Sequence, residues 1–261
     1  MKYIRAFDIE TTGLTANSEM TVIGFRDANG YDVHVNAETA DPDIYGDDWS
    51  PSDDVTATLY DDEEELLNGV LAKALRLSPT ESEVLVGFCA DGFDLPMVRT
   101  RCAKYDISWP FQGWSYLELK NVLRHFNLQV PDVRGFNKSP LLKFGKFIGA
   151  DVKSSMLVDE ITEAVENRPY DTDDVAAFVE EEGIEAPTKS QRTLDNVHSV
   201  LCGPTRWTDP FSSSADCVTE WRDGNIAGVV VHNVADLEKT WDVASLVQKY
   251  IHQTELPTWK L

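Results

Sequence analysis

FDIETTGL, residues 7–14, puts Asp8 and Glu10 two apart at the end of an apolar run that begins at Tyr3. A strand alternates its side chains with a period of two, so both carboxylates share one face. Ile4 and Ala6 precede them on that face, which argues against exposure along the whole strand. Few sheets tolerate such a pair of acids without a cation. Thr11-Thr12-Gly13 then breaks the strand in a turn where backbone can approach a ligand, with Leu14 following.

Outward from this strand, MTVIGFRDANGYDVHVN (20–36) reads as two strands joined at Asn29-Gly30, a strong hairpin signal. Residues 37–60 are rich in Asp, Pro and Ser and read as loop. DDEEELLNGVLAKALRL (61–77) has acids in its first turn and apolar residues at helical spacing. EVLVGF (83–88) is a buried strand, FDLPMVRTRCAKY (93–105) a helix, WSYLEL (114–119) a strand, and KNVLRHF (120–126) the start of a helix. The predicted order is βββαβαβα, opening with three antiparallel strands. RTLDNVHSVLCG (192–203) is a helix, as is roughly 227–252, where Leu237, Trp241, Ala244, Val247 and Ile251 make one apolar face. Between them, about 130–189 departs from the pattern and reads as an insertion. It holds two acidic helices at 157–167 and 171–183, the second with a Gly cap.

The 261 residues suffice for an ordinary core, with 42% hydrophobic side chains and a mean hydropathy of -0.30. No apolar run approaches a membrane span, and Asp8 and Glu10 interrupt the N-terminal stretch where a signal peptide needs unbroken apolar residues. The chain therefore reads as soluble and cytoplasmic, with no membrane partner. Cys89, Cys102, Cys202 and Cys217 follow no zinc spacing and read as buried thiols.

Charge is the unusual quantity: 45 acidic against 23 basic residues give a formal net charge of -22. The excess is spread along the chain among normal core residues, a pattern that resembles halophilic adaptation, since molar salt screens dense carboxylates. Residues 95–153 run against it, with ten basic side chains and four acidic. Within them RGFNKSPLLKFGKFIG (134–149) combines Arg134, Lys138, Lys143 and Lys146 with Phe136, Phe144 and Phe147. Cations interleaved with aromatic rings suit phosphates and stacked bases, and this loop is expected to bind nucleic acid.

Three motifs carry a family resemblance. FDIETTGL resembles the first motif of the DEDD 3′-to-5′ exonucleases, nucleases with a ribonuclease H-like fold. GFCADGFDLP (87–96) resembles their second motif, in the version of family-B DNA polymerase exonuclease domains, and supplies Asp94. HNVAD (232–236) resembles the third motif in its tyrosine-type spacing, ending at Asp236, and TLDNVHSVLCG (193–203) is similar to the connecting helix. The likeness covers roughly 1–126 and 190–252. Two positions depart from it: Cys89 stands where Asn is usual, and His232 where that spacing carries Tyr.

The resemblance implies a single α/β ribonuclease H-like domain over 1–261, a mixed five-stranded sheet flanked by helices with a mainly helical insertion at about 130–189. It implies a metal-dependent exonuclease acting on the 3′ end of single-stranded DNA or RNA. Asp8, Glu10, Asp94 and Asp236 would hold two divalent cations, Mg²⁺ or Mn²⁺, which can secure both the attacking and leaving oxygens of an in-line displacement. His232, with an ordinary pKa of about 6.5, would accept the proton of the attacking water. Thr11, Thr12, Gly13 and Leu14 would contact the nucleic acid. No polymerase domain fits in the remaining chain, so proofreading would require a separate polymerase or a replication or repair protein. The alternatives are a catalytically weak nucleic-acid-binding module on the same fold, and a ribonuclease rather than a deoxyribonuclease.

Overall fold

The computed structural model describes residues 3–41, 43–45, 49–77, 83–190, 193–211, 213–252, 256 and 258–261. In chain order the elements are β1 (Tyr3–Thr11), β2 (Met20–Asp27), β3 (Gly30–Asn36), β4 (Val55–Tyr60), α1 (Glu63–Leu77), β5 (Glu83–Gly87), α2 (Asp94–Lys104), β6 (Ser115–Glu118) and α3 (Leu119–Val122). Then come β7 (Gln129–Pro131), α4 (Lys138–Phe147), α5 (Val158–Glu166), α6 (Thr172–Glu182), β8 (Thr188–Ser190), α7 (Leu194–Leu201), α8 (Ser214–Arg222), α9 (Ile226–Tyr250) and β9 (Thr258–Lys260). The chain divides into two compact units, Met1–His125 with Thr193–Leu261, and Phe126–Arg192.

The first unit is a mixed sheet in the order β4-β3-β2-β1-β5-β6-β9. Its strands β1, β2 and β3 pair antiparallel, with Asp27 opposite Gly30 at the expected hairpin, while β5 runs parallel to β1 and β6 parallel to β5. This agrees with a ribonuclease H-like α/β fold, but among the described residues the sheet has seven strands where five were expected. The five expected strands sit contiguously, and β4 and β9 extend the two edges. Strand β4 lies inside the 37–60 stretch expected to be loop, whose residues 42 and 46–48 are outside the described ones. Its Val55, Ala57 and Leu59 alternate, but Asp and Ser around them dominate the composition. Helix α8 was also missed, although Ser213 and Asp216 form a capping box legible in the sequence. The helix expected from Arg192 begins at Leu194; Arg192 itself is outside the described residues.

Alternation along β1 explains the layers. Phe7 and Ile9 point to one face with Ile23 and Phe25, where Leu66, Leu67 and Val70 of α1 and Leu95 and Val98 of α2 cover them. Ala6 points to the other face with Val22, Val33 and Val35, beneath Val229, Val230, Val234 and Leu237 of α9 and Trp221 of α8. Asp8 and Glu10 have the parity of Ala6 and so lie on the α9 face.

In the second unit β7 and β8 form a short antiparallel pair, and α4, α5 and α6 enclose a core of Val133, Phe136, Leu141, Phe144, Ile161, Val165, Val175 and Phe178. Here the expected basic loop is largely helix α4, and the expected stacking role of Phe136 and Phe144 is corrected. Phe136 is 5% exposed and Phe144 0%. Phe144 packs edge-on against Tyr170 at 5.3 Å and lies 5.4 Å from Phe178, so neither ring can meet a base without opening this core. Spacing caused the error: Leu141, Phe144 and Ile148 are a helix stripe as readily as a set of stacking rings. Arg134 pairs with Asp132 and Glu166, and Lys143 with Glu182. Lys146 is exposed and Lys138 partly so.

Candidate active site

The site begins where β1 meets β2. Asp8 stands opposite Gly24, and a Cβ added at Gly24 would lie 1.9 Å from Asn233 Oδ1 and 2.7 Å from Leu237 Cδ1. The missing side chain lets α9 pack flush on the sheet and brings Asn233 Nδ2 to donate to Asp8 Oδ2 at 2.9 Å. The register shifts between Glu10 and Thr11, which ends the strand and turns Thr11–Leu14 outward. Thr11 Oγ1 donates to Gly13 O at 2.7 Å, and Thr12 Oγ1 accepts from Glu19 N at 2.9 Å, holding that turn.

Asp94 enters from the first turn of α2, and the turn before it is organised by a buried carboxylate. Glu118 accepts from the backbone N–H of Cys89 at 2.7 Å and of Asp91 at 3.4 Å, and from Tyr116 Oη at 2.7 Å. Cys89 sits at φ +63, a left-handed conformation that costs a non-glycine residue about 1–2 kcal/mol. The position where the family resemblance leads one to expect Asn is therefore one where backbone conformation favours Asn or Gly. Cys89→Gly is expected to raise stability by about 0.5–1 kcal/mol, the strain relieved less glycine's greater entropy loss on folding. A urea midpoint that falls in this variant would show that the thiol's contacts outweigh the backbone strain.

His232, Asn233 and Asp236 come from one stretch of α9. His232 Nδ1 is 2.8 Å from Asp209 Oδ1, and its Nε2 lies 3.7 Å from Glu10 Oε1. Asp236 Oδ1 accepts from Lys239 Nζ at 2.8 Å, and that ammonium also pairs with Asp195 at 2.6 Å. Asp8, Glu10, Thr11, Thr12, Gly13, Leu14, His232 and Asp236 all line one cavity of about 640 Å³, together with Phe93 and Arg222.

The electrostatics follow from crowding like charges in a dry place. Burial first, then Glu10, Asp94 and Asp236, hold the Asp8 carboxyl well above its ordinary value. Burial, with Asp236 and Asp209 adding to it, pushes Glu10 up to about 7 against the pull of His232. Burial, with Glu10, Glu118 and Asp236, pushes Asp94 up to about 8. For His232 burial acts downward, but Glu10, Asp209 and Asp236 prevail and raise it. Four carboxylates from β1, α2 and α9 thus form a hard-oxygen donor set whose mutual repulsion a divalent cation would relieve.

Sequence reasoning found the four acids, His232 and the Thr11–Leu14 rim, and the structure brings them together in the first unit. Arg134, Phe136, Lys138, Lys143, Phe144 and Lys146 belong to the second. Asp209, Cys217, Lys239 and Arg222 were missed, because nothing in their local sequence distinguishes them from surface or core residues. Asn233 was legible as the neighbour of His232 in HNVAD, and its role depends on Gly24.

No family model matches the sequence, and no curated protein matches it. Among solved structures the chain is similar to the family B DNA polymerase from the hyperthermophilic archaeon Pyrobaculum calidifontis, with a TM-score of 0.55 at 12% identity over 95% of this chain. The chain spans 24% of that polymerase chain. At this identity the likeness establishes the fold, a mixed α/β sheet flanked by helices. Among the described residues no helix is long and apolar enough to cross a membrane.

Proposed function

We propose that the first unit is a metal-dependent 3′-to-5′ exonuclease acting on single-stranded nucleic acid. The observation that carries this reading is the convergence of Asp8, Glu10, Asp94 and Asp236 beside a cavity rimmed by Thr11–Leu14. The donor set fits Mg²⁺ or Mn²⁺: hard oxygens, crowded and partly or wholly buried, with the Asp8, Glu10 and Asp94 carboxyls held above their ordinary values. When bound, such cations polarise the phosphoryl group and neutralise charge on the attacking and leaving oxygens.

The chain's own residues do the rest. Asp209 accepts from His232 Nδ1 and so leaves Nε2 with its lone pair on the side of Glu10, oriented to take a proton from water. Arg222 supplies positive charge to an otherwise acidic cavity, where it can meet a phosphate. Phe93 offers a ring to the terminal base, and the Thr11–Leu14 turn offers backbone to the strand end. The cavity volume is that of a small-ligand site, sufficient for a terminal nucleotide. In the same reading the net charge of -22 suits a salt-rich solvent.

A catalytically weak binding module is the second reading, and Lys239 is the observation that favours it. Its ammonium lies on Asp236, where it offsets a charge the cations would need. End-labelled single-stranded DNA and RNA, incubated with Mg²⁺, Mn²⁺ or EDTA at several salt concentrations, separate the two. Stepwise shortening from the 3′ end that EDTA stops is the expected result. Binding without shortening in either metal would establish the weak module, and internal cuts would overturn the exonuclease assignment.

A further inference from the structure

Glu10, Cys217 and His232 bring three chemically different donors together, although the cysteine spacings follow no zinc pattern. Cys217 Sγ is 3.9 Å from Glu10 Oε2, and His232 Nε2 is 3.7 Å from Glu10 Oε1. One donor atom from each residue lies within 4.8 Å of the other two, and all three side chains are buried. Tetrahedral zinc, with bonds of about 2.0–2.3 Å, holds its donors about 3.3–3.8 Å apart. The two separations, which run to different oxygens of Glu10, each stand within a few tenths of an ångström of that range. Glu10 and His232 also line the cavity, which gives an ion a way in.

Asp209 is the independent sign. Its Oδ1 takes the Nδ1–H of His232 at 2.8 Å, and the backbone N–H of Phe211 holds the same oxygen at 2.9 Å. An outer carboxylate that fixes the tautomer and turns the other nitrogen inward is the usual support of a metal-ligating histidine.

We propose that Glu10, Cys217 and His232 form a zinc site that overlaps the hard-cation site at Glu10. Thiolate and imidazole select zinc, whereas Mg²⁺ requires oxygen ligands. Only the overlap rests on the exonuclease reading. Because Glu10 serves both sites, zinc excludes the hard cations from their full donor set and inhibits hydrolysis. Burial and the adjacent Glu10 hold the Cys217 thiol well above its ordinary range, so it carries its proton in the absence of metal. Coordination forms the sulfur–metal bond and releases that proton to solvent.

The test titrates Co²⁺ into the metal-free, reduced 261-residue chain and reads near-ultraviolet thiolate-to-cobalt charge transfer. One equivalent should develop the band, Zn²⁺ should abolish it, and excess Mg²⁺ should leave it. Cys217→Ser should lose the band, Cys89→Ser should keep it, and Asp209→Asn should bind cobalt about 10- to 100-fold more weakly. Zinc should inhibit Mg²⁺-supported hydrolysis in the parent, and Cys217→Ser should need at least about tenfold more zinc for the same effect. Absence of the band in the parent, which depends on no variant folding, overturns the proposal, as does a band that persists in Cys217→Ser. A cobalt band with no hydrolysis in Mg²⁺ or Mn²⁺ overturns the exonuclease reading and leaves the metal site standing.

Discussion

Asp8→Asn is expected to lower Mg²⁺- or Mn²⁺-supported hydrolysis about 10³-fold or more, equivalent to about 4 kcal/mol of barrier. The same change should stabilise the metal-free protein. Both effects have one cause, since Asp8 feels Glu10, Asp94 and Asp236 at once from a buried position. In the folded chain Glu10 rises from 4.5 to about 7 and Asp94 from 3.8 to about 8. The folded state therefore holds these protons more tightly than the unfolded chain does. The cluster's contribution to stability is fully present below about pH 4 and is lost as pH rises through about 7 to 8. Asp8→Asn removes one charge, and the amide oxygen it introduces can still accept from Asn233 Nδ2. The variant should pull ahead of the parent between about pH 5 and 8, by roughly 1–2 kcal/mol at the upper end. Mg²⁺ or Mn²⁺ should close the gap by stabilising the parent. Calorimetry across this range, with and without metal, measures the effect. An unchanged rate of hydrolysis, or a gap that ignores pH, would overturn the assignment of Asp8.

The second large effect is structural. Arg101, 1% exposed, makes a two-point ion pair with Glu63, 3% exposed, its Nε donating to Glu63 Oε1 at 2.6 Å and its second amino group bonding Oε2. Glu63 also accepts from Met20 N at 2.7 Å and Tyr105 Oη at 2.9 Å, and Arg101 donates to Ala16 O at 3.1 Å. The pair ties α1 and α2 to the loop that follows the Thr11–Leu14 rim. Arg101→Met would take the two-point partner from buried Glu63 and leave only the more distant Lys104, at 4.0 Å, and is expected to cost about 3–5 kcal/mol. Arg101→Met with Glu63→Gln should recover much of that loss, because no buried charge remains. Urea unfolding of the two variants provides the comparison. A loss below about 1 kcal/mol in the single variant would show that the pair adds little to the packing of α1 against α2.

How much of this was legible differs by element. The strand of Asp8 and Glu10, the Asn29-Gly30 hairpin and the long helix α9 follow from periodicity and turn chemistry, which act within a few residues. Strand β4 was hidden because an edge strand is only partly buried, and its acidic surroundings carry more weight in composition than three alternating apolar residues. The 134–149 stretch misled for a related reason. A helix that buries Leu141 and Phe144 while exposing lysines has the same residues as a nucleic-acid-binding loop, and only its enclosure by α5 and α6 separates the two.

The sequence by itself determined how each candidate side chain is set on its own element: the parity of Asp8 and Glu10, the helical spacing of His232 and Asp236, and the placing of Asp94 after a buried strand are local geometry. Tertiary structure alone decided how those residues are coupled. Asn233 reaches Asp8 because Gly24 lets a helix more than two hundred residues away close on the sheet. Asp209 and Cys217 join His232 and Glu10 through packing against β1 and α9 that no spacing encodes. Periodicity records which way a side chain points from its own element, and long-range packing sets what it meets there.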